Sequence, residues 1–78
     1  MVWKEEGILL VKDFEFKDFS KAVDFVNKIA KVAEKADHHP NILIHSYNKV
    51  RITLTTHSEN KITEKDRKLA KEIDKIKM

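Results

Sequence analysis

The apolar residues of this chain change their spacing in a fixed order, and that order limits the fold more than any other feature. Lys12, Phe14 and Phe16 alternate against Asp13 and Glu15, a period of two that predicts a half-buried strand over residues 8–16. Leu9 and Val11 stand in the opposite phase, so a bulge or register change is expected near Lys12. Trp3 to Glu6 supply a shorter first strand, with Gly7 as its turn. From Phe19 the spacing becomes three and four. Phe19, Ala22, Val23, Val26, Ile29, Ala30 and Ala33 share one helical face, and Asp18 stands where a cap belongs. This helix should stop near Asp37, because Pro40 drives His39 toward extended geometry. Residues 42–47 and 50–56 read as strands joined at Asn48-Lys49, a two-residue turn that sets Tyr47 opposite Val50, His45 opposite Ile52 and Leu43 opposite Leu54. Thr63 and Asp66 form a capping-box variant opening a last helix through about Ile76, with Leu69, Ala70, Ile73 and Ile76 inward. The order strand, strand, helix, strand, strand, helix implies an α+β fold, a two-layer sandwich with a four-stranded, mainly antiparallel sheet and both helices on one face. It also implies one domain over residues 1–78. Apolar residues on both sides of the last hairpin suggest that a partner chain covers part of the other face.

Composition narrows the function classes. With no cysteine among 78 residues there is no disulfide framework, thiolate metal site or cysteine nucleophile, so stability must come from packing and from a homo-oligomer. The net charge of +3 comes from 16 basic and 13 acidic residues that are interspersed rather than blocked, which argues against nucleic acid as a partner. The longest apolar run is residues 8–11, and the first six residues lack the pattern of a signal peptide, so no membrane partner and a cytoplasmic location are expected. The strong preference for Lys over Arg and the absence of Gln resemble the bias of heat-adapted proteins.

Four histidines are candidates for chemistry, because imidazole exchanges protons near neutrality without a large environmental shift. His38 and His39 precede the only proline, and a polar connection between helix and strand explains that tripeptide equally well. His57 ends a strand, and His45 lies within one. Adjacent histidines in extended backbone point to opposite sides, so His38 and His39 are poorly placed to share an ion, and no metal site is expected. Ser20, Ser46 and Ser58 lack the glycine-rich elbow of a serine nucleophile, and no phosphate-cradling loop is present.

The joint spacing is more specific. Glu34, three residues, His38-His39-Pro40, six residues, Tyr47, nine residues, His57, eight residues and Asp66 form a pattern that resembles the pterin-4a-carbinolamine dehydratase family. Residues 13–19, 33–40, 47–50 and 53–57 agree with it, and the resemblance runs from about Trp3 to Ile76. It implies dehydration of a 4a-hydroxytetrahydropterin, with tetrahydrobiopterin as the family's substrate, to the quinonoid dihydropterin by histidine acid/base catalysis without a cofactor. It further implies His38, His39 and His57 as catalytic residues, Pro40, Thr55, Thr56 and Ser58 as substrate contacts, and Glu34, Tyr47 and Asp66 as supporting residues. Glu34 reads equally as a solvated last-turn residue, and the capping argument favours a structural part for Asp66. Two departures stand out: the extra N-terminal helix of many members is absent, which leaves dimer or tetramer open, and Glu59-Asn60-Lys61 replaces a glycine-containing turn. Other readings are an interaction protein, as with animal members that serve as transcription cofactors, and an enzyme for a different pterin.

Overall fold

A computed structural model describes residues 3–78; the first two residues of the expected domain lie outside the described residues. In chain order the elements are β1 (Lys4–Glu6), β2 (Leu9–Glu15), α1 (Phe19–Ala36), β3 (Asn41–His45), β4 (Lys49–Leu54) and α2 (Glu64–Asp74). The four strands form one antiparallel sheet, as the alternation of periods implied, and their order across it is β1-β2-β4-β3. Gly7 turns β1 into β2 with φ of 60°, a conformation that glycine adopts without steric cost.

The core lies between the sheet and the two helices. Leu10, Val50, Ile52 and Leu54 from the sheet meet Ala22, Phe25 and Ile29 of α1 and Leu69, Ala70 and Ile73 of α2. The helical stripe differs from expectation at its edges: Phe25 is buried, whereas Phe19 is 54% exposed and Ala30 is exposed. Phe25 packs in tilted contact against Phe14 and Phe16, with ring centroids 4.7 and 4.9 Å apart.

No bulge interrupts β2, contrary to expectation. Its pairing with β4 is continuous from Leu10 opposite Leu54 to Glu15 opposite Lys49. Leu10, Lys12, Phe14 and Phe16 form a single inward phase, and Leu9 and Val11 simply face the other side of the sheet. An inward lysine is tolerated because its ammonium lies over the rings of Trp3 and Phe14, 5.9 and 5.0 Å from their centroids, and reaches Asp74 of α2 at 2.7 Å.

The hairpin register also differs. The turn is three residues, Ser46-Tyr47-Asn48, and it sets His45 opposite Lys49, Ile44 opposite Val50 and Ile42 opposite Ile52. The proposed two-residue turn would have brought Leu43 and His45 inward, and the observed one brings Ile42 and Ile44 to the core instead. Asn48 explains the choice. It is buried, donates its side-chain amide to the Phe16 carbonyl at 2.9 Å and accepts the Phe16 N–H on its backbone carbonyl at 2.9 Å, so the last residue of the turn is tied to the end of β2. Ser46 and Tyr47 take the positive φ values, 51° and 57°. Each costs roughly 1–2 kcal/mol in a non-glycine residue, an amount that two additional core isoleucines offset.

Candidate functional site

The histidine pair is placed by the way α1 ends. Asp37 adopts the left-handed conformation (φ 53°), its N–H bonds to the Glu34 carbonyl, and the His38 N–H reaches back to Ala33. This is the Schellman arrangement, and it fixes the backbone of His38 against the last turn. Pro40 then holds the chain extended into β3. Adjacent residues diverge in extended backbone, and the two rings find different partners.

His38 turns inward to α2. Its Nε2 lies 2.6 Å from Oδ1 of Asp66, with the His38 side chain 14% exposed and that of Asp66 fully buried. The other oxygen of Asp66 accepts the Thr56 hydroxyl at 2.8 Å and the Thr63 N–H at 2.9 Å. Because Thr56 spends its proton on Asp66, the Thr63 hydroxyl donates to Thr56 at 2.7 Å. Burial, the largest single influence, pushes the Asp66 carboxyl up. The hydrogen bonds from His38, Thr63 and Thr56 and the charge of His38 together outweigh it and leave the group below the ordinary aspartate value. An ionised carboxylate only accepts, so His38 carries a proton on Nε2 and presents Nδ1 away from Asp66.

His39 turns outward. Its Nε2 lies 2.6 Å from Oε2 of Glu34, and the two side chains are 55% and 77% exposed. Each histidine of the pair thus has one nitrogen tied to its own carboxylate. Asp66 therefore does two things at once: it completes the capping box of α2 and it holds His38.

A cleft of about 270 Å³ is lined by Asp37, His38, His39, Thr55, Thr56, His57, Ser58 and Lys65. His57 enters it from the turn after β4. That turn is closed by a Thr56–Lys61 bridge, and Asn60 supplies the positive φ (55°) for which a glycine would otherwise serve. Thr55 is buried, and its hydroxyl has no hydrogen-bond partner among the described residues. Of the residues singled out in the sequence, three histidines, Thr55, Thr56 and Ser58 converge here, with Glu34 and Asp66 behind the rings. Pro40 sets the chain direction but is not part of the lining. Tyr47 is 65% exposed at the hairpin turn beyond the far end of β3 and does not reach the cleft of its own chain. Asp37 and Lys65 line the cleft without having been singled out; Lys65 follows Thr63 by two residues, so the capping box was the available signal.

A larger hollow of about 500 Å³ lies across Leu43, His45 and Arg51 on the uncovered face of the sheet. Arg51 is paired with Asp13 at 2.8 Å, and His45 contacts Ser46. It lacks the convergence of imidazoles and carboxylates found in the smaller cleft. Among the described residues no group of three or more His, Cys, Asp or Glu side chains is placed to hold a metal ion.

The family model for pterin 4 alpha carbinolamine dehydratase matches residues 1–76. The chain belongs to the pterin-4a-carbinolamine dehydratase family. A relative from Sulfolobus acidocaldarius, named "Putative pterin-4-alpha-carbinolamine dehydratase", is 49% identical over 74 residues, which span 95% of this chain and 80% of the relative. One of the same name from Trichormus variabilis is 50% identical over 95% of this chain and 78% of its own length. Two solved structures share the fold. A transcriptional coactivator/pterin dehydratase from Brucella melitensis superposes with a TM-score of 0.85 at 43% identity, covering 92% of this chain and 78% of the other. A pterin dehydratase-like protein identified as a RuBisCO assembly factor in the alpha-carboxysome gives 0.79 at 28% identity, covering 95% and 87%. No helix among the described residues is long and apolar enough to cross a membrane.

Proposed function

We propose that this protein dehydrates a 4a-hydroxytetrahydropterin to the quinonoid dihydropterin and water. The observation that carries the reading is that two adjacent imidazoles, each tied through Nε2 to a separate carboxylate, share one cleft with a third. In the reaction the C4a–O bond breaks, the leaving hydroxyl takes a proton, N5 loses one, and C4a=N5 forms, so no oxidant or reductant is consumed. An imidazolium supplies the first proton and a neutral imidazole accepts the second. Asp66 keeps His38 in one orientation and tautomer, while His39, backed by Glu34 and more exposed, has room to contact the substrate. His57 approaches from the β4 end of the cleft. Thr55 and Ser58 contact the pterin, and Thr56, whose hydroxyl is already committed to Asp66, serves to hold the wall. A hydroxylase turning over a tetrahydropterin accumulates the carbinolamine; adding this protein is expected to remove that absorbance, and an unchanged build-up would refute the proposal.

Proton transfer by imidazole needs no metal or organic cofactor. Treatment with chelator followed by dialysis is therefore expected to leave the rate intact, and a loss restored by zinc would overturn this point.

The protein is further proposed to form a dimer or tetramer in the cytoplasm. The sheet has one face without helices, where Leu43 is 54% exposed, and β1 and β3 are edge strands open to pairing. Light scattering at micromolar concentration is expected to give a multiple of 9.2 kDa. A monomer throughout that range would contradict it.

A second reading, a docking protein without catalysis, draws on the same exposed sheet face and on the description of one structural neighbour as an assembly factor. It predicts that the cleft histidines can be replaced without loss of function.

A further inference from the structure

We propose that the histidine cleft continues into an anion site, and that the pterin used by this protein carries a phosphate ester on its side chain. The inference rests on the pterin reading and deepens it by naming the substrate class. A second cavity, about 490 Å³, adjoins the cleft and shares His38 and Lys65 with it. Lys65, Lys68, Lys71 and Lys75 line one side, and Ala36 at the end of α1 closes the other.

The charge of this cavity is unbalanced. Its one acidic lining residue, Glu72, is bound to Lys75 at 3.1 Å. Of the other acids of α2, Asp66 is fully buried beneath His38, Asp74 holds Lys12 and Trp3, and Glu64 lies outside the lining of this cavity. Asp37 lines the histidine cleft but not this cavity. Lys65, Lys68 and Lys71 therefore form no ion pair among the described residues. Their spacing of three places like charges as neighbours on one helical face, where they repel and weaken the helix. A bound anion would relieve that repulsion.

The chemistry of the groups points to phosphate. An ammonium on a flexible stem is a mobile point charge suited to a tetrahedral oxyanion at the end of a chain. A neutral pterin ring over the histidines has no use for several ammonium groups, but a side chain leaving the ring past Lys65 would carry its end directly among them. The stripe is confined to a helix of 11 residues and is bounded by Glu64, which is too short to track a polynucleotide.

The test is equilibrium binding, so that it does not depend on turnover. 7,8-Dihydroneopterin and its 3′-phosphate are titrated by fluorescence into the wild-type protein and into a Lys68→Gln/Lys71→Gln variant. The ester is expected to bind about tenfold more tightly than the alcohol at low ionic strength, with the gain shrinking as salt rises. The variant should lose the gain while keeping its affinity for the alcohol, and inorganic phosphate should weaken the ester alone. Equal binding of the two pterins by the wild type would overturn the anion site and leave the dehydratase proposal standing. An ester gain that survives in the variant, or tighter occupation of these lysines by a single-stranded oligonucleotide, would overturn it as well. Failure of both pterins to bind would remove the pterin reading and this inference with it.

Discussion

Replacing His39 with alanine is expected to lower kcat by about 10²–10⁴-fold, the usual loss when a general acid or base is removed. The ring is 55% exposed, and its Nε2 is occupied by Glu34, so Nδ1 is the nitrogen left for the substrate. His38→Ala should act differently. Asp66 locks that ring into one direction, so it can serve only the 4a epimer whose hydroxyl faces it, and its loss should be severe for one epimer and slight for the other. His57→Ala, at the rim, should raise KM as well as lower kcat. Single-turnover rates on separated epimers check all three variants, with circular dichroism to establish folding. Equal losses on both epimers in His38→Ala would contradict the assigned geometry.

Asp66→Ala should be the most destabilising single change. It removes the Asp66 half of the α2 capping box, strands the Thr56 hydroxyl and the Thr63 N–H, and leaves His38 without its partner. Breaking a buried pair of this kind costs about 3–5 kcal/mol. A chain of this length has roughly 4–12 kcal/mol in total. At about 4–8 °C per kcal/mol, Tm should fall by more than about 12 °C. Asp66→Asn keeps the size and an acceptor for Thr56 and Thr63 but sets an amide donor against His38, so it should fold while losing the charge and the hydrogen bond that fixes the His38 tautomer. The Asp66 carboxyl lies below its ordinary value when folded, so its stabilisation is fully present above the unfolded-state value and is lost as pH falls through the folded-state value. Thermal melts across the acid range should therefore show a shallower decline in the Asn variant than in wild type. Parallel declines would mean that Asp66 contributes as a spacer and not as a charge.

The alternation of periods was enough to read the element order and the two-layer architecture, because burial on one face leaves a period of two in strands and of three to four in helices. Register was not legible. Asn48 looked like a turn residue from its backbone tolerance, yet its side chain is used to tie Phe16, a contact between residues 32 apart that no local pattern encodes. Lys12 misled for a similar reason, since a charge in an inward phase suggests a bulge until Asp74 of the last helix is seen to receive it. At the site, spacing marked Asp66, but the cap explained it sufficiently. The tie to His38 depends on how α1 ends and α2 begins in space, and only the assembled fold brings those two points within 2.6 Å.

The most direct measurement is stopped-flow observation of a freshly generated 4a-hydroxytetrahydropterin in the presence and absence of the protein. Decay of the carbinolamine to the quinonoid dihydropterin should accelerate in proportion to protein concentration, and the acceleration should vanish in a folded variant lacking His38, His39 and His57. Decay at the spontaneous rate with wild-type protein, or undiminished acceleration by the variant, would contradict a histidine-based dehydratase.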